Sequence, residues 1–232
     1  MPEEVPEAVP EAVPEPVTDR RQRRSQRPPA RYAAAAMKLY GTVTSPFVRR
    51  VRVVAAEIGC AVERIDTATE EGQAALRAVT PIRKVPVAMI DGRTLFDSRV
   101  IIDWLTTTRG FGGLTPPKDR WREANLVNAI DAAVDSAIQV FYLKRDGVPV
   151  EGTAFAQRQL ERVDAILEWL GKELAADGAS FGGGLGLAEV SLIAILDWMD
   201  FRKVYATERA PALAGLRAAW AERPSVAQTR PQ

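Results

Sequence analysis

The sequence contains no histidine and only one cysteine, Cys60. The lack of histidine excludes Ser-His-Asp and Cys-His catalysis and most transition-metal sites. A single cysteine cannot form an intramolecular disulfide or a multi-cysteine zinc site, and it is typical of a reducing compartment. We therefore expect a cytoplasmic protein without a metal, whose chemistry comes from hydroxyls, carboxylates, amines, backbone dipoles or a bound co-substrate.

Long apolar runs and an excess of one charge are also missing. No stretch of about 18 apolar residues occurs, so the sequence predicts no membrane span. Charged residues make up 26% of the chain but leave a formal net charge of +1, so no overall field attracts nucleic acid or a membrane. With 47% hydrophobic residues, the composition is typical of a soluble globular protein.

The first 36 residues differ from all that follow. A Val-Pro-Glu repeat occupies residues 5–16, and an arginine-rich run occupies residues 20–27. Proline at this spacing interrupts helices and central strands, so we predict that residues 1–36 form a disordered extension. The segment could be a nucleic-acid or targeting arm. The simpler interpretations are a solvated tail, or upstream sequence that precedes a true start at Met37.

After this segment, short β-rich runs alternate with helical patterns. Ser45-Pro46 is typical of a helix start, with a hydroxyl N-cap and then proline at the first position. Asp91-Gly92 predicts a two-residue hairpin. The predicted strands are 38–40, 62–65, 85–90 and 94–96, and the predicted helices are 46–58, 69–79 and one that starts at 98. This β-α-β-α-β-β-α order favours a sheet with a parallel core and an antiparallel edge.

A glycine- and proline-rich linker at 109–118 ends this module. Beyond it the β signal disappears, and helical patterns fill 119–144, 153–175, 187–201 and 211–222. We therefore predict an α/β domain at 37–108 and an all-helical domain at 119–225. The crevice between two such domains is a natural ligand site.

Three motifs in this order resemble the glutathione S-transferase superfamily. Residues 44–51 are similar to the first-helix segment of serine-type members, especially plant tau-like and related bacterial ones. Residues 81–87 are similar to the loop before the family's cis-proline, and residues 95–101 to its acidic-Ser segment. The resemblance covers about residues 37–225. It implies an N-terminal thioredoxin-like βαβαββα domain followed by a C-terminal helical domain.

Two departures from the family pattern stand out. Thr80 and Arg83 replace the commoner asparagine and glycine of the cis-proline loop. In the helical domain, Gly186-Leu187-Ala188-Glu189 stands where the family often has a Ser/Thr-x-x-Asp capping box. Glycine caps a helix only a few tenths of a kcal/mol less well than serine. We therefore expect a mild effect on stability and none on the chemistry.

The resemblance implies conjugation of glutathione to a hydrophobic electrophile, with Ser45 as the catalytic residue. A free thiol has a pKa of about 8.5, and lowering it by about two requires roughly 2.7 kcal/mol. A hydrogen bond to a charged group contributes about 1.5–3 kcal/mol, and a helix N-terminus adds about 0.3–1 kcal/mol. Ser45 would supply both. The simpler interpretation is that Ser45 is only an N-cap, and Thr42 and Thr44 are alternative hydroxyl donors.

The resemblance also implies a glutathione-binding set: Phe47, Lys84, Val85, Pro86, Asp97 and Ser98. Lys84, with Arg83 able to share the role, would pair with the glycine carboxylate. Val85, before a predicted cis-Pro86, would present its backbone N–H and C=O to the cysteinyl part.

Asp97 and Ser98 would hold the γ-glutamyl end, through its ammonium and its carboxylate respectively. The simpler interpretation of this pair is helix capping. Cys60 lies at the other end of the first helix from Ser45, which favours thiolate chemistry over thiol–disulfide exchange. We predict that Cys60 itself is a buried residue that packs as a small apolar side chain.

The electrophile pocket should lie between Phe47 and the helix at 119–144. Phe141 and Tyr142 are candidates for its wall, and the roles of Asp131 and Asp135 are left open. The partners implied are glutathione, a small hydrophobic electrophile and, by resemblance, a second copy in a homodimer. The competing functions are a non-catalytic binding or adaptor module, which the arginine-rich run slightly favours, and a ligand-storage protein.

Overall fold

A computed structural model describes residues 36–232. The predicted disorder of residues 1–36 therefore falls, apart from the last residue, outside the described part of the chain. The α/β module contains β1 (Met37–Tyr40), α1 (Pro46–Ile58), β2 (Val62–Ile65), α2 (Glu70–Val79), β3 (Val87–Ile90), β4 (Arg93–Leu95) and α3 (Ser98–Arg109). The helical module contains α4 (Arg120–Arg145), α5 (Ala154–Lys172), α6 (Leu187–Arg202), short 3₁₀ turns at Thr207–Arg209 and Pro211–Leu213, α7 (Ala214–Trp220) and α8 (Pro224–Ala227).

The four strands form one mixed sheet in the order β2-β1-β3-β4. Only β1 and β2 are parallel, because the chain returns from α2 and enters β3 in the opposite direction. The expectation of a parallel core is therefore wrong beyond this one pair. The hairpin prediction is confirmed, with positive φ angles at Asp91 and Gly92. The third strand begins at Val87 and not at Val85, since Pro86 has no N–H to donate to a ladder.

Helix α1 begins and ends where its sequence predicts. Ser45 is the N-cap, and its Oγ accepts a hydrogen bond from the Val48 N–H over 3.3 Å. Gly59 ends the helix with a φ of 74°, which glycine adopts without steric cost. The buried face of α1 packs against α3 on one side and α6 on the other. The N-terminus of α1 therefore lies where the two modules meet.

A buried ion pair joins the two modules. Arg49, one turn into α1, is only 2% exposed, and its Nη1 lies 2.6 Å from Asp197 Oδ2 on α6. Burial lowers the pKa of the Arg49 guanidinium, and the Asp197 carboxylate opposes that effect. Asp197 also accepts from Arg217 Nε over 2.6 Å. The carboxylate therefore holds α1 and α7 to the same point of α6.

Helix α6 forms the centre of the helical module. Almost every residue from Ala188 to Met199 is buried, as expected for a helix covered on all sides. Among the described helices, α4 alone has the length and hydropathy of a bilayer-crossing helix, a test that buried core helices also pass. Helix α4 packs against both α5 and α6, and the residues that it buries lie between Leu126 and Ala137.

Two glutamate side chains bind backbone amides at the start of α6, where the sequence has glycine as the N-cap. Glu189 Oε2 accepts from the Gly186 N–H over 2.8 Å, and its Oε1 accepts from the Phe181 N–H over 2.7 Å. Glu123, on α4, accepts from the Leu187 N–H over 3.2 Å. Backbone amides at and just before the start of α6 are thus bound by acids from the same helix and from its neighbour.

Replacement of Asp197 by alanine tests the ion pair between the modules. The variant leaves the Arg49 charge buried without its partner, so we expect the free energy of unfolding to fall by about 3–5 kcal/mol. Chemical denaturation measures the change. Glu168→Ala, which removes an exposed ion pair with Lys172 on α5, should change stability little and serves as the control. Equal effects of the two variants would contradict the structural role of Asp197.

Replacement of Glu123 by glutamine tests the start of α6 through its pH dependence. Burial raises the pKa of the Glu123 carboxyl, the Leu187 N–H opposes that effect and the nearby Glu189 adds to it. Its stabilising contribution is complete below the ordinary glutamate pKa of about 4.3 and is lost as the pH rises through the raised value. As the pH rises above about 4, the parent protein should lose this contribution and the Glu123→Gln variant should not. The unfolding free energy of the variant minus that of the parent protein should therefore increase with pH. A constant difference in denaturant titrations across that range would contradict this assignment.

Candidate functional site

A cleft of about 500 Å³ opens between the two modules. One wall is formed by the loop that leads into α1 and by the loop that precedes β3. The other wall is formed by the C-terminal half of α4 and the end of α6. The four predicted site residues Ser45, Phe47, Lys84 and Val85 all line this cleft. The cleft thus brings together the proposed catalytic hydroxyl and half of the proposed glutathione-binding set.

Ser45 is a helix cap and also a cleft residue. Because its Oγ accepts from the Val48 N–H, the hydroxyl proton remains available for donation to a ligand. Two further hydroxyls line the cleft beside it, with Thr42 Oγ1 lying 3.3 Å from Thr44 Oγ1. Thr44 Oγ1 also accepts from Arg202 Nη2 over 2.9 Å. Of the three hydroxyls, Ser45 is the one that lies directly at the positive end of the α1 dipole.

The loop before β3 carries the second group of predicted residues. The Val85–Pro86 bond is cis, as predicted, and Pro86 lies buried behind the cleft wall. Val85 precedes Val87, the first residue of β3 that pairs with β1, so its backbone groups are outside the sheet register. Arg83, which stands where the family commonly has glycine, has a φ of 55°, in the left-handed region that favours glycine.

The remaining two predicted residues lie at the start of α3, outside the lining of the cleft. Asp97 is exposed and caps α3, and its Oδ1 accepts from the Arg99 N–H over 2.8 Å. Ser98 is 1% exposed, and its Oγ accepts from Arg50 Nε over 3.0 Å and from Nη2 over 2.7 Å. Arg50 in turn pairs with Asp131 on α4 over 2.6 Å. Ser98 and Asp131 therefore hold α1, α3 and α4 together, and the predicted role of Asp97 and Ser98 toward glutathione stays a prediction.

The wall predicted for the electrophile is aromatic. Phe141 and Tyr142 line the cleft opposite Phe47, as predicted from the sequence. The edge of Phe141 meets Trp198 of α6, with ring centres 5.7 Å apart. Such edge-to-face pairs form rigid apolar surfaces. Cys60 is 5% exposed at the far end of α1, as predicted, and lies outside the lining of the cleft.

Three charged cleft residues, Asp135, Arg145 and Arg202, have no role assigned from the sequence. Asp135 lines the cleft from α4. The only feature of the sequence that pointed to it was its position four residues after Asp131, which does not indicate a role. Arg202 lines the cleft from the last turn of α6. No local pattern distinguishes an arginine at the end of a helix that enters a cleft from one that caps the helix in solvent. Only the packing of α6 against α1 brings Arg202 to Thr44, the residue before Ser45.

The matching family models cover both modules. The model of the glutathione S-transferase N-terminal domain matches residues 39–113, and that of the glutathione S-transferase C-terminal domain matches residues 153–223. The chain therefore belongs to the glutathione S-transferase family.

Individual relatives extend this result. An uncharacterized GST-like protein of Escherichia coli, YibF, is 25% identical over 171 residues, which cover 72% of this chain and 84% of that protein. Glutathione S-transferase U7 of Arabidopsis thaliana is 28% identical over 163 residues, covering 69% and 68% of the two chains. A glutathione S-transferase of Methylobacillus flagellatus, solved with glutathione bound, matches with a TM-score of 0.72 at 28% identity and covers 85% of this chain and 100% of that one.

Replacement of Ser98 by alanine tests its structural role at the start of α3. The variant removes the oxygen that accepts two N–H groups of the buried Arg50, so we expect a loss of about 1–3 kcal/mol in unfolding free energy without any ligand present. Thermal or urea unfolding of the ligand-free protein measures it. Thr107→Ala, at an exposed hydroxyl on the same helix, is the control. If Ser98→Ala matches this control, the Arg50–Ser98 contact does not contribute to stability.

Proposed function

We propose that this protein is a glutathione transferase that conjugates the thiolate of glutathione to a hydrophobic electrophile. The single observation that carries the proposal is the position of Ser45. The Ser45 hydroxyl caps α1 as an acceptor, so its proton is available for donation to a ligand. It lies in the cleft between the modules, which also has an aromatic wall. Membership of the family and the glutathione bound in the related Methylobacillus flagellatus structure support glutathione as the co-substrate.

Glutathione would lie along the α/β wall of the cleft. Its cysteinyl backbone would pair with the N–H and C=O of Val85 as an added strand does. Its glycine carboxylate would pair with Lys84, whose side chain is exposed at the cleft rim, with Arg83 beside it. The γ-glutamyl end would extend toward the start of α3, where Asp97 and Ser98 lie. This orientation leaves the sulfur at the N-terminus of α1.

The reaction begins when the thiol of bound glutathione loses its proton to solvent. The resulting thiolate accepts a hydrogen bond from the Ser45 hydroxyl and is stabilised by the positive end of the α1 dipole. These two contributions, about 1.5–3 and 0.3–1 kcal/mol, are of the size needed to lower a thiol pKa by about two. A sulfur lone pair then forms the bond to the electrophilic carbon. In a substitution the leaving group departs with its electron pair, and in an addition the product takes up a proton.

Replacement of Ser45 by alanine tests this mechanism. Loss of one hydrogen bond to the sulfur anion should raise the pKa of the bound thiol by about one to two. The rate of conjugation near neutral pH should fall by about tenfold or more, since a smaller fraction of the thiol is ionised. Titration of thiolate absorbance in the glutathione complex gives the pKa, and a chromogenic electrophile gives the rate.

Ser45→Thr is the matched control, because threonine retains both the hydroxyl and the N-cap. Ser45→Ala also loses the cap, which costs about 0.5–2 kcal/mol of stability, so the unfolding midpoint of both variants must be measured. Full activity in a folded Ser45→Ala protein would contradict the mechanism. Thr42 and Thr44 would then be the remaining candidates for the hydroxyl donor.

The second candidate function is a non-catalytic binding or adaptor module with the same fold. The arginine-rich run at residues 20–27 favours it. Retention on immobilised glutathione separates the two candidates, because an adaptor that has lost the co-substrate site would flow through. The homodimer and the cytoplasmic location stay predictions.

A further inference from the structure

The guanidinium of Arg202 enters the cleft although the residue lies at the end of a helix. Its Nη2 donates to Thr44 Oγ1 over 2.9 Å, beside Ser45. Its guanidinium carbon lies 5.3 Å from the ring centre of Phe141 and 5.0 Å from that of Phe201. Because Phe141 belongs to the wall predicted for the electrophile, the guanidinium of Arg202 lies beside that wall.

This charge is not neutralised by the protein. Among residues 36–232, no carboxylate forms an ion pair with Arg202, and its buried Nε has no hydrogen-bond partner. Arg49, Arg50 and Arg223, by contrast, each pair with a carboxylate within 2.6 Å. An arginine has five N–H donors, and a buried donor without an acceptor costs free energy. Arg202 is therefore a cation whose donors lack an anionic acceptor.

The other cations that line the cleft have partners or assigned roles. Arg145 pairs with Asp146 over 2.8 Å at the cleft mouth. Lys84 and Arg83 lie on the loop where the proposed function puts the glycine carboxylate of glutathione. Asp135 is the one carboxylate among the lining residues. The cleft thus carries an excess of positive charge, and Arg202 is the cation left without an anion.

We propose that Arg202 binds a carboxylate of the electrophile, so that the acceptor substrates are aromatic or unsaturated carboxylic acids. The inference rests on the proposed function and names the substrate class for it. A planar guanidinium matches a carboxylate through paired N–H donors. The rings of Phe141 and Trp198 would pack on the apolar body of the same molecule. Arg202 is in this view a specificity-determining residue, separate from the Ser45 hydroxyl that acts on the sulfur.

Two matched electrophiles test the inference: 4-chloro-3,5-dinitrobenzoate and its neutral amide, 4-chloro-3,5-dinitrobenzamide. In both, the glutathione sulfur forms a bond to the carbon that carries chlorine, and chloride leaves with the electron pair of the broken bond. Arg202→Gln should lower kcat/KM for the benzoate by about tenfold to a hundredfold, the effect expected for loss of a charged hydrogen-bonded pair. For the amide, kcat/KM should stay within about twofold of the parent value.

Two further variants and two further measurements make the result specific. Arg202→Lys keeps the charge without the planar fork and should recover part of the activity on the benzoate. Arg145→Gln removes a cation from the same cleft that already has a partner, so the ratio of the two kcat/KM values should change by less than about twofold. The pKa of the bound thiol in Arg202→Gln should equal that of the parent protein. The unfolding midpoint reports any loss of structure.

The possible failures are distinguishable. Equal losses on both substrates with a raised thiol pKa would show that Arg202 acts on the sulfur and would overturn the inference. An unchanged ratio of the two kcat/KM values in Arg202→Gln would overturn it as well, while leaving the proposed function intact. A parent protein that neither binds glutathione nor converts either electrophile would overturn the proposed function and this inference together.

Discussion

The ion pair between Arg49 and Asp197 is the contact on which the rest of the cleft depends. It lies between the modules, with Arg49 2% exposed, and ties the first turn of α1 to the last third of α6. Ser45 is one turn before Arg49, and Arg202 is just over one turn after Asp197. A shift of either helix would separate the Arg202 guanidinium from the Thr44 hydroxyl, which lies next to Ser45. The pair therefore sets the geometry of both walls.

A second buried arginine joins α1 to two further helices. Arg50 is 3% exposed and uses its guanidinium to join Ser98 of α3 with Asp131 of α4. Arg49 and Arg50 are adjacent in sequence, so their side chains leave α1 in different directions and reach different helices. Charged groups of this kind are costly to bury unless each N–H has an acceptor. Here Arg49 has the Asp197 carboxylate as its partner on α6, and Arg50 has Ser98 and Asp131 as partners on α3 and α4.

Local patterns predicted the elements of the fold well. The Ser45-Pro46 start, the Gly59 stop and the Asp91-Gly92 hairpin depend on backbone chemistry within a few residues, and all three are confirmed. The prediction that β3 runs parallel to β1 was wrong, because the direction of a strand depends on how the chain returns across the sheet. The predicted helix at 211–222 is a 3₁₀ turn followed by a shorter α-helix, Ala214–Trp220.

The amino-acid sequence by itself determined the family, the order of elements and the hydroxyl at the start of α1, because these follow from short-range backbone preferences and from motifs contiguous in the chain. Tertiary structure alone decided that Arg202 lies beside Thr44, that Ser98 is bound by Arg50, and that Glu123 caps a helix from another element. These contacts join residues far apart in sequence. Their energies depend on burial and on distances of a few ångströms, and neither is encoded in any local pattern.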